Sequence, residues 1–250
     1  VLGYTDNKKF QKSGWWYFVL EEFKDDFTIL VPEKLNYELG KYYYYDVDAR
    51  KTYTLENLVE CYSTIINTYL SENKYSTIFL IGSSEGACIL PLVYKKISEN
   101  NKISGLVSIS YGGLSRYEQI KILADTQLNM SILTRDIFKN IDKYKDDVEL
   151  HPGSIEDFIG FSYIYWNSFF DYRPFDDYKD IDIPVLFIHG GQDVNVPVES
   201  TKYVQNNLSN KPFEYLYYDD ADHNSFRNSI KTMKDLESKS RIWIYNNVRF

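Results

Sequence analysis

The chain has 250 residues, 44% of them hydrophobic, and carries a formal net charge of −8, enough length for one large buried core in one domain or two. The acidic balance argues against a nucleic-acid or anionic-membrane surface, which needs clustered Lys and Arg, and no apolar run reaches the ~18 residues of a membrane span. Two cysteines, Cys61 and Cys88, make no disulfide framework and read as buried free thiols. The chain starts at Val1 without a methionine and shows no signal peptide. A cytoplasmic protein is expected, with removal of an upstream piece, and so a secreted or periplasmic origin, left open.

In chain order, Val1-Leu2 reads as a strand tail entering the polar loop Gly3-Tyr4-Thr5-Asp6-Asn7. Trp16, Val19, Leu20 and Phe23 then fall on one helix face, and Phe27 to Val31 reads as a strand closed by Pro32. A tyrosine-rich connection follows; the 24 tyrosines of the chain offer ring area with polar tips, suited to wet pockets. Leu55, Leu58, Val59, Tyr62, Ile65, Ile66 and Tyr69 mark a long amphipathic helix.

The stretch Ile78 to Ala87 organises the rest. A short apolar strand, Ile78 to Ile81, runs into Gly82-Ser83-Ser84-Glu85-Gly86 and then into an apolar helix that Pro91 is expected to bend. Gly-x-Ser-x-Gly between a strand and a helix means a tight turn presenting a serine hydroxyl. The turn is strained, so it wants small residues two before and two after the serine, and the frame selects Ser84 over Ser83. Such a serine also sits at a helix N-terminus, where backbone N–H groups can stabilise an oxyanion. Ile103 to Ser110 is the next strand.

Strand and helix thus alternate, the pattern of a mostly parallel twisted sheet with helices on both faces. Right-handed crossovers put the loops after each strand along one edge, where functional groups belong. From residue 112 to 180 the alternation stops. This segment is charged early and aromatic late, through Phe158, Phe161, Tyr163, Tyr165, Trp166, Phe169 and Phe170, and it reads as an inserted, mostly helical cap. Most of these rings are expected to close the cap's own core, with a few, Trp166 and Phe170 first, lining a substrate pocket. Residues 1–111 and 181–250 make the main domain. There the strands Pro184 to Gly190 and Phe213 to Tyr218 precede a closing helix, whose inner face is read as Ile230, Met233, Leu236, Ser240, Trp243 and Ile244.

A serine hydroxyl is a poor nucleophile near neutral pH, so it needs an imidazole to take its proton and a carboxylate to orient that imidazole. Of the three histidines, His223 follows the last strand on the loop edge, His189 ends the strand before and reads as a structural hydrogen-bonder, and His151 reads as exposed. Asp193, in Gly190-Gly191-Gln192-Asp193, is the acid; Asp219, Asp220 and Asp222 adjoin His223 too closely in sequence to reach the far side of its ring.

At Gly-Ser-Ser84-Glu-Gly, His-Gly-Gly-Gln-Asp193 and Ala-Asp-His223 the chain resembles the α/β-hydrolase family, over nearly its whole length and closest to its capped esterase, serine aminopeptidase and dienelactone-hydrolase-like branches. The resemblance implies an oxyanion hole from the backbone N–H groups of Tyr4 and Glu85. Two departures stand out: Leu2-Gly3 replaces the family's His-Gly, and its first two strands have no counterpart before Val1. The expected activity is a serine hydrolase cleaving a small or medium-sized carboxylic ester, with an amide or thioester second, through an acyl-enzyme. Neither metal nor organic cofactor is expected. An acyltransferase with the same three residues and a non-enzymatic binder on the same fold are the alternatives. Glu85 reads as a surface or cap-facing residue that could also select cationic substrates.

Overall fold

A computed structural model of the chain describes residues 23–32, 47–98, 102–126, 132–224 and 229–248. The helices α1 (Val47–Thr52) and α2 (Leu55–Glu72) come first, followed by β1 (Ile78–Ser83), α3 (Glu85–Lys96) and β2 (Ile103–Ile109). The middle segment holds α4 (Arg116–Asp125), α5 (Ile132–Lys139), α6 (Ile141–Leu150), a hairpin of β3 (Asp157–Phe158) and β4 (Phe161–Ser162), α7 (Tyr163–Phe169) and α8 (Pro174–Tyr178). The chain closes with β5 (Val185–Gly190), α9 (Glu199–Asn207), β6 (Phe213–Tyr218) and α10 (Ile230–Asn246).

Among the described residues β1, β2, β5 and β6 form one sheet in the order β1-β2-β5-β6, every pair parallel. Every residue of β2 and β5 is buried, as a parallel sheet covered on both faces requires. Side chains alternate between two cores. Leu80, Leu106, Val185, Phe187 and Phe213 face a cluster with Leu58, Tyr62, Ile89 and Val93 of α2 and α3. Val107, Ile109, Leu186 and Ile188 face the other way, onto Leu236, Trp243 and Ile244 of α10. Both helices are built as their spacing suggests: the Thr54 hydroxyl caps α2 by accepting from Asn57 N, and Leu55, Leu58, Val59 and Tyr62 lie along its buried stripe. Pro91 lies inside α3 and is buried.

Three readings need correction. Phe27 to Val31 joins no ladder; Phe27 instead packs edge-on against Phe23, Phe79 and Tyr245, and residues 28–32 wall an apolar cavity of about 210 Å³ beside β1. Ile230 is 67% exposed, because it opens α10 in its first turn, ahead of the stripe that begins at Met233. Cys88 is buried, but Cys61 on α2 is only partly so.

The segment 112–180 starts where the chain passes under α9: a Cβ on Gly112 would meet Ser200 C at 2.2 Å, so only glycine fits. A capping box then begins α4, with Ser115 and Glu118 each bonding the other's backbone N–H. The rings of the later half pack on one another: Phe161 stacks on Tyr165 at 4.1 Å, Tyr165 on Phe169 at 4.4 Å and Trp166 on Phe170 at 4.9 Å. The segment's end is bound to the sheet, with Tyr178 edge-on to Phe187 at 5.0 Å and Phe175 N donating to Gly113 O.

Candidate active site

The sheet sets the site. β1 stays in register with β2 to its last residue, Ser83 opposite Ile109, and Ser84 N then donates to Ile109 O at 2.8 Å. The chain turns at Ser84, which has φ 52° and ψ −117°, a left-handed backbone that non-glycine residues rarely adopt. α3 begins at once, its first closing bond running from Cys88 N to Ser84 O. The turn is so tight that a Cβ on Gly82 would lie 2.5 Å from Gly86 O. A strained serine on a strand-to-helix turn is the geometry the motif demands.

Two further loops reach this turn. After β5, Asp193 is 1% exposed, and its Oδ1 accepts from the backbone N–H of Asn195 and of Val196, each at 2.9 Å. After β6, His223 Nδ1 lies 2.7 Å from Asp193 Oδ2 and His223 Nε2 lies 3.1 Å from Ser84 Oγ. A carboxylate only accepts, so the Nδ1 proton points to Asp193 and the Nε2 lone pair is left to accept from the Ser84 hydroxyl. Residues 30 and 139 positions from His223 thus meet on its two nitrogens.

The other histidines lie elsewhere in role. His189 is fully buried; its Nε2–H donates to Val196 O at 2.9 Å, so its Nδ1 accepts from the Thr201 hydroxyl at 2.7 Å. Burial pushes its pKa down and keeps the ring neutral. It ties β5 to the Asp193 loop and to α9. His151 is exposed, with Nδ1 2.9 Å from Asp147 O. Of the competing acids, Asp222 turns back on its own chain, its Oδ1 accepting from Asn224 N.

Glu85, the first residue of α3, accepts from the Tyr53 hydroxyl at 2.5 Å. Tyr53 is wholly buried and stacked on Phe161 and Tyr165; burial first, then the Glu85 charge, hold its phenol protonated far above the usual range. Glu85 therefore faces a buried tyrosine from the α1–α2 junction. Sequence reasoning missed Tyr53, one tyrosine among many with no motif around it. Arg116, which donates to Asn195 O on the acid loop, was also missed; its signal was its place just past the loop that follows a buried parallel strand.

Trp166 and Phe170 lie in the ring cluster, 5% and 1% exposed, and the Trp166 indole N–H donates to Phe158 O. Enclosed to that degree by Phe158, Phe161 and Tyr165, they form the interior of the segment. Tyr4, the other expected oxyanion donor, lies outside the described residues. Among the described residues no His, Cys, Asp and Glu side chains group as a metal site requires, and no helix is long and apolar enough to cross a membrane. The cavity beside β1 is lined by neither Ser84, Asp193 nor His223.

A parallel sheet with helices on both faces and a strained serine turn at its loop edge is an α/β-hydrolase architecture. The profile of the FSH1 serine hydrolase family matches residues 24–224, and the chain belongs to that family. A search of curated proteins found no match. Among solved structures, an esterase from Thermogutta terrifontis is similar at 14% identity, over 93% of this chain and 85% of that one, with a TM-score of 0.59. An esterase from Pyrococcus furiosus is similar at 16% identity, over 95% and 78%, with a TM-score of 0.58. A lipase-esterase related protein from Clostridium acetobutylicum is similar at 17% identity, over 94% and 90%, with a TM-score of 0.55. At these identities the likeness is one of fold.

Proposed function

We propose that the protein hydrolyses carboxylic esters of small or medium-sized acids through an acyl-enzyme on Ser84. The observation that carries this reading is the unbroken hydrogen-bonded line from Ser84 Oγ through His223 to Asp193. Ser84 Oγ attacks the ester carbonyl while His223 Nε2 takes its proton. Asp193 fixes the ring's tautomer and balances the imidazolium that forms. The same proton goes to the leaving alkoxide. Water then attacks the acyl-serine, giving its proton to His223, which returns it to Ser84 Oγ as the acyl bond breaks and the carboxylic acid leaves. The backbone N–H of Glu85, and by the family resemblance alone that of Tyr4, carry the oxyanion charge. The segment 112–180 acts as a cap over this edge. Ester rather than amide is supported by the esterases among the similar folds, though only as likeness. The test is labelling by a fluorophosphonate probe with mapping of the adduct by mass spectrometry, alongside turnover of p-nitrophenyl esters. An adduct on Ser84 with a burst of p-nitrophenol is expected; an unlabelled protein, or an adduct elsewhere, overturns the reading.

A further inference from the structure

Arg116 opens α4 on the loop that follows β2, at the same sheet edge as Ser84. One of its guanidinium nitrogens donates to Asn195 O at 3.3 Å, and the Asn195 N–H is itself a donor to Asp193. The charge also lies within electrostatic reach of Glu85 and Cys88, the first and fourth residues of α3. The guanidinium is thus bracketed by the serine turn on one side and the acid loop on the other.

This cation lacks what other arginines of the molecule have. Arg173 pairs with Glu118, Arg50 with Asp157 and Arg241 with Asp26. Arg116 pairs with no carboxylate among the described residues. Its acceptors are the neutral Asn195 O and Gln119 Oε1, both at 3.3 Å, and its flat face rests over the Tyr111 ring, 5.4 Å from the centroid. Keeping a guanidinium half out of water on long, neutral hydrogen bonds is costly, and a directly bound counter-charge would offset that cost. The Tyr111 ring beneath it is fully buried beside Cys88 and Gln119, a fixed floor for the guanidinium. Glu85, the acid in the neighbourhood, acts on it at a distance and accepts from the Tyr53 hydroxyl.

We propose that Arg116 forms an anion subsite beside Ser84 that selects esters carrying a free carboxylate, such as half-esters of short dicarboxylic acids. The inference rests on the ester-hydrolase reading above and adds the substrate class. Planar, bidentate recognition of a carboxylate is what a guanidinium does best.

The experiment compares kcat/KM for p-nitrophenyl hemisuccinate and hemiglutarate with that for the neutral butyrate and valerate. The wild-type protein is expected to prefer the acidic esters. Arg116→Gln is expected to lower kcat/KM on them by about ten- to a hundredfold, the worth of one charged hydrogen bond, and on the neutral esters far less. Arg116→Lys is expected to restore part of the difference. Free glutarate should inhibit the wild type competitively and the Gln variant much more weakly; if that variant does not fold, the wild-type preference and its inhibition decide. Equal losses on both ester types would make Arg116 a structural tie to the acid loop and overturn the proposal, as would a wild-type preference for neutral esters. Labelled Ser84 with neutral turnover and no acidic preference sinks this inference alone. No labelling and no turnover sinks the hydrolase reading beneath it.

Discussion

The turn at Ser84 is half-buried and the aromatic segment that ends at Phe170 is mostly buried, and the two are held by different forces. Around Ser84 the main chain does the work: a strand in register with its neighbour, a bond from Ser84 N to Ile109 O, two backbone N–H groups on Asp193. In the segment, side chains do it, ring on ring from Phe158 to Phe170. Backbone-built geometry tolerates almost no change of shape but survives loss of a functional atom. Ring-built geometry has no single indispensable atom, but its stability rests on volume. The two regions therefore break in different ways.

The largest effect separates function from structure at the turn. Ser84→Ala is expected to lower kcat for ester hydrolysis by roughly 10³- to 10⁶-fold with the melting temperature little changed. Ser83→Ala, one residue away, is expected to cost less than about tenfold. Retained turnover in the Ser84 variant would show that the frame of the motif had been misread.

In the ring cluster the same kind of truncation should act on stability. Trp166→Ala or Phe170→Ala is expected to destabilise by about 3–5 kcal/mol, read as a lower urea midpoint. If either ring also lines the pocket, the folded fraction will change its preference among acyl lengths. A variant of unchanged stability would mean the ring is not a packing element.

Gly82→Ala tests the backbone side by overpacking. Its Cβ would meet the Gly86 carbonyl, a backbone atom that cannot step aside. A loss of about 1–3 kcal/mol is expected, with activity falling further than stability because Ser84 must shift. Normal kinetics in this variant would show the turn to be pliable.

The smallest effect concerns His189. Burial lowers its pKa in the folded protein, so between that value and about 6.5 the unfolded chain binds a proton that the folded one does not. Its contribution to stability is therefore present above about pH 6.5 and lost as the pH falls below it. Urea unfolding at pH 7 and pH 5 should show this fall in the wild type and a smaller one in His189→Gln. An equal fall in both would assign the effect to other groups.

Much of the core and the serine turn was legible in the sequence because both are local. An all-apolar run such as Val185 to Ile188, short and bounded by Pro184 and Gly190, fits a strand buried on both faces. Gly82 and Gly86 around Ser84 encode a turn within five residues. Chain order did the rest, since parallel strands with right-handed crossovers deliver the loops of Asp193 and His223 to the Ser84 edge. What the sequence alone settled was the run of strands and helices from α2 to β2 and from β5 to α10, and which loops share an edge. Tertiary structure decided what no spacing records. Tyr53 finds Glu85 across 32 positions, and Phe27 gives up a strand ladder for an edge-on contact with Phe79. Trp166 and Phe170 turn into their own cluster, and Arg116 comes to rest on Asn195 O of the acid loop. The reason is physical: backbone conformation is set by neighbours a few residues away, whereas the meeting of two side chains depends on how every layer between them packs.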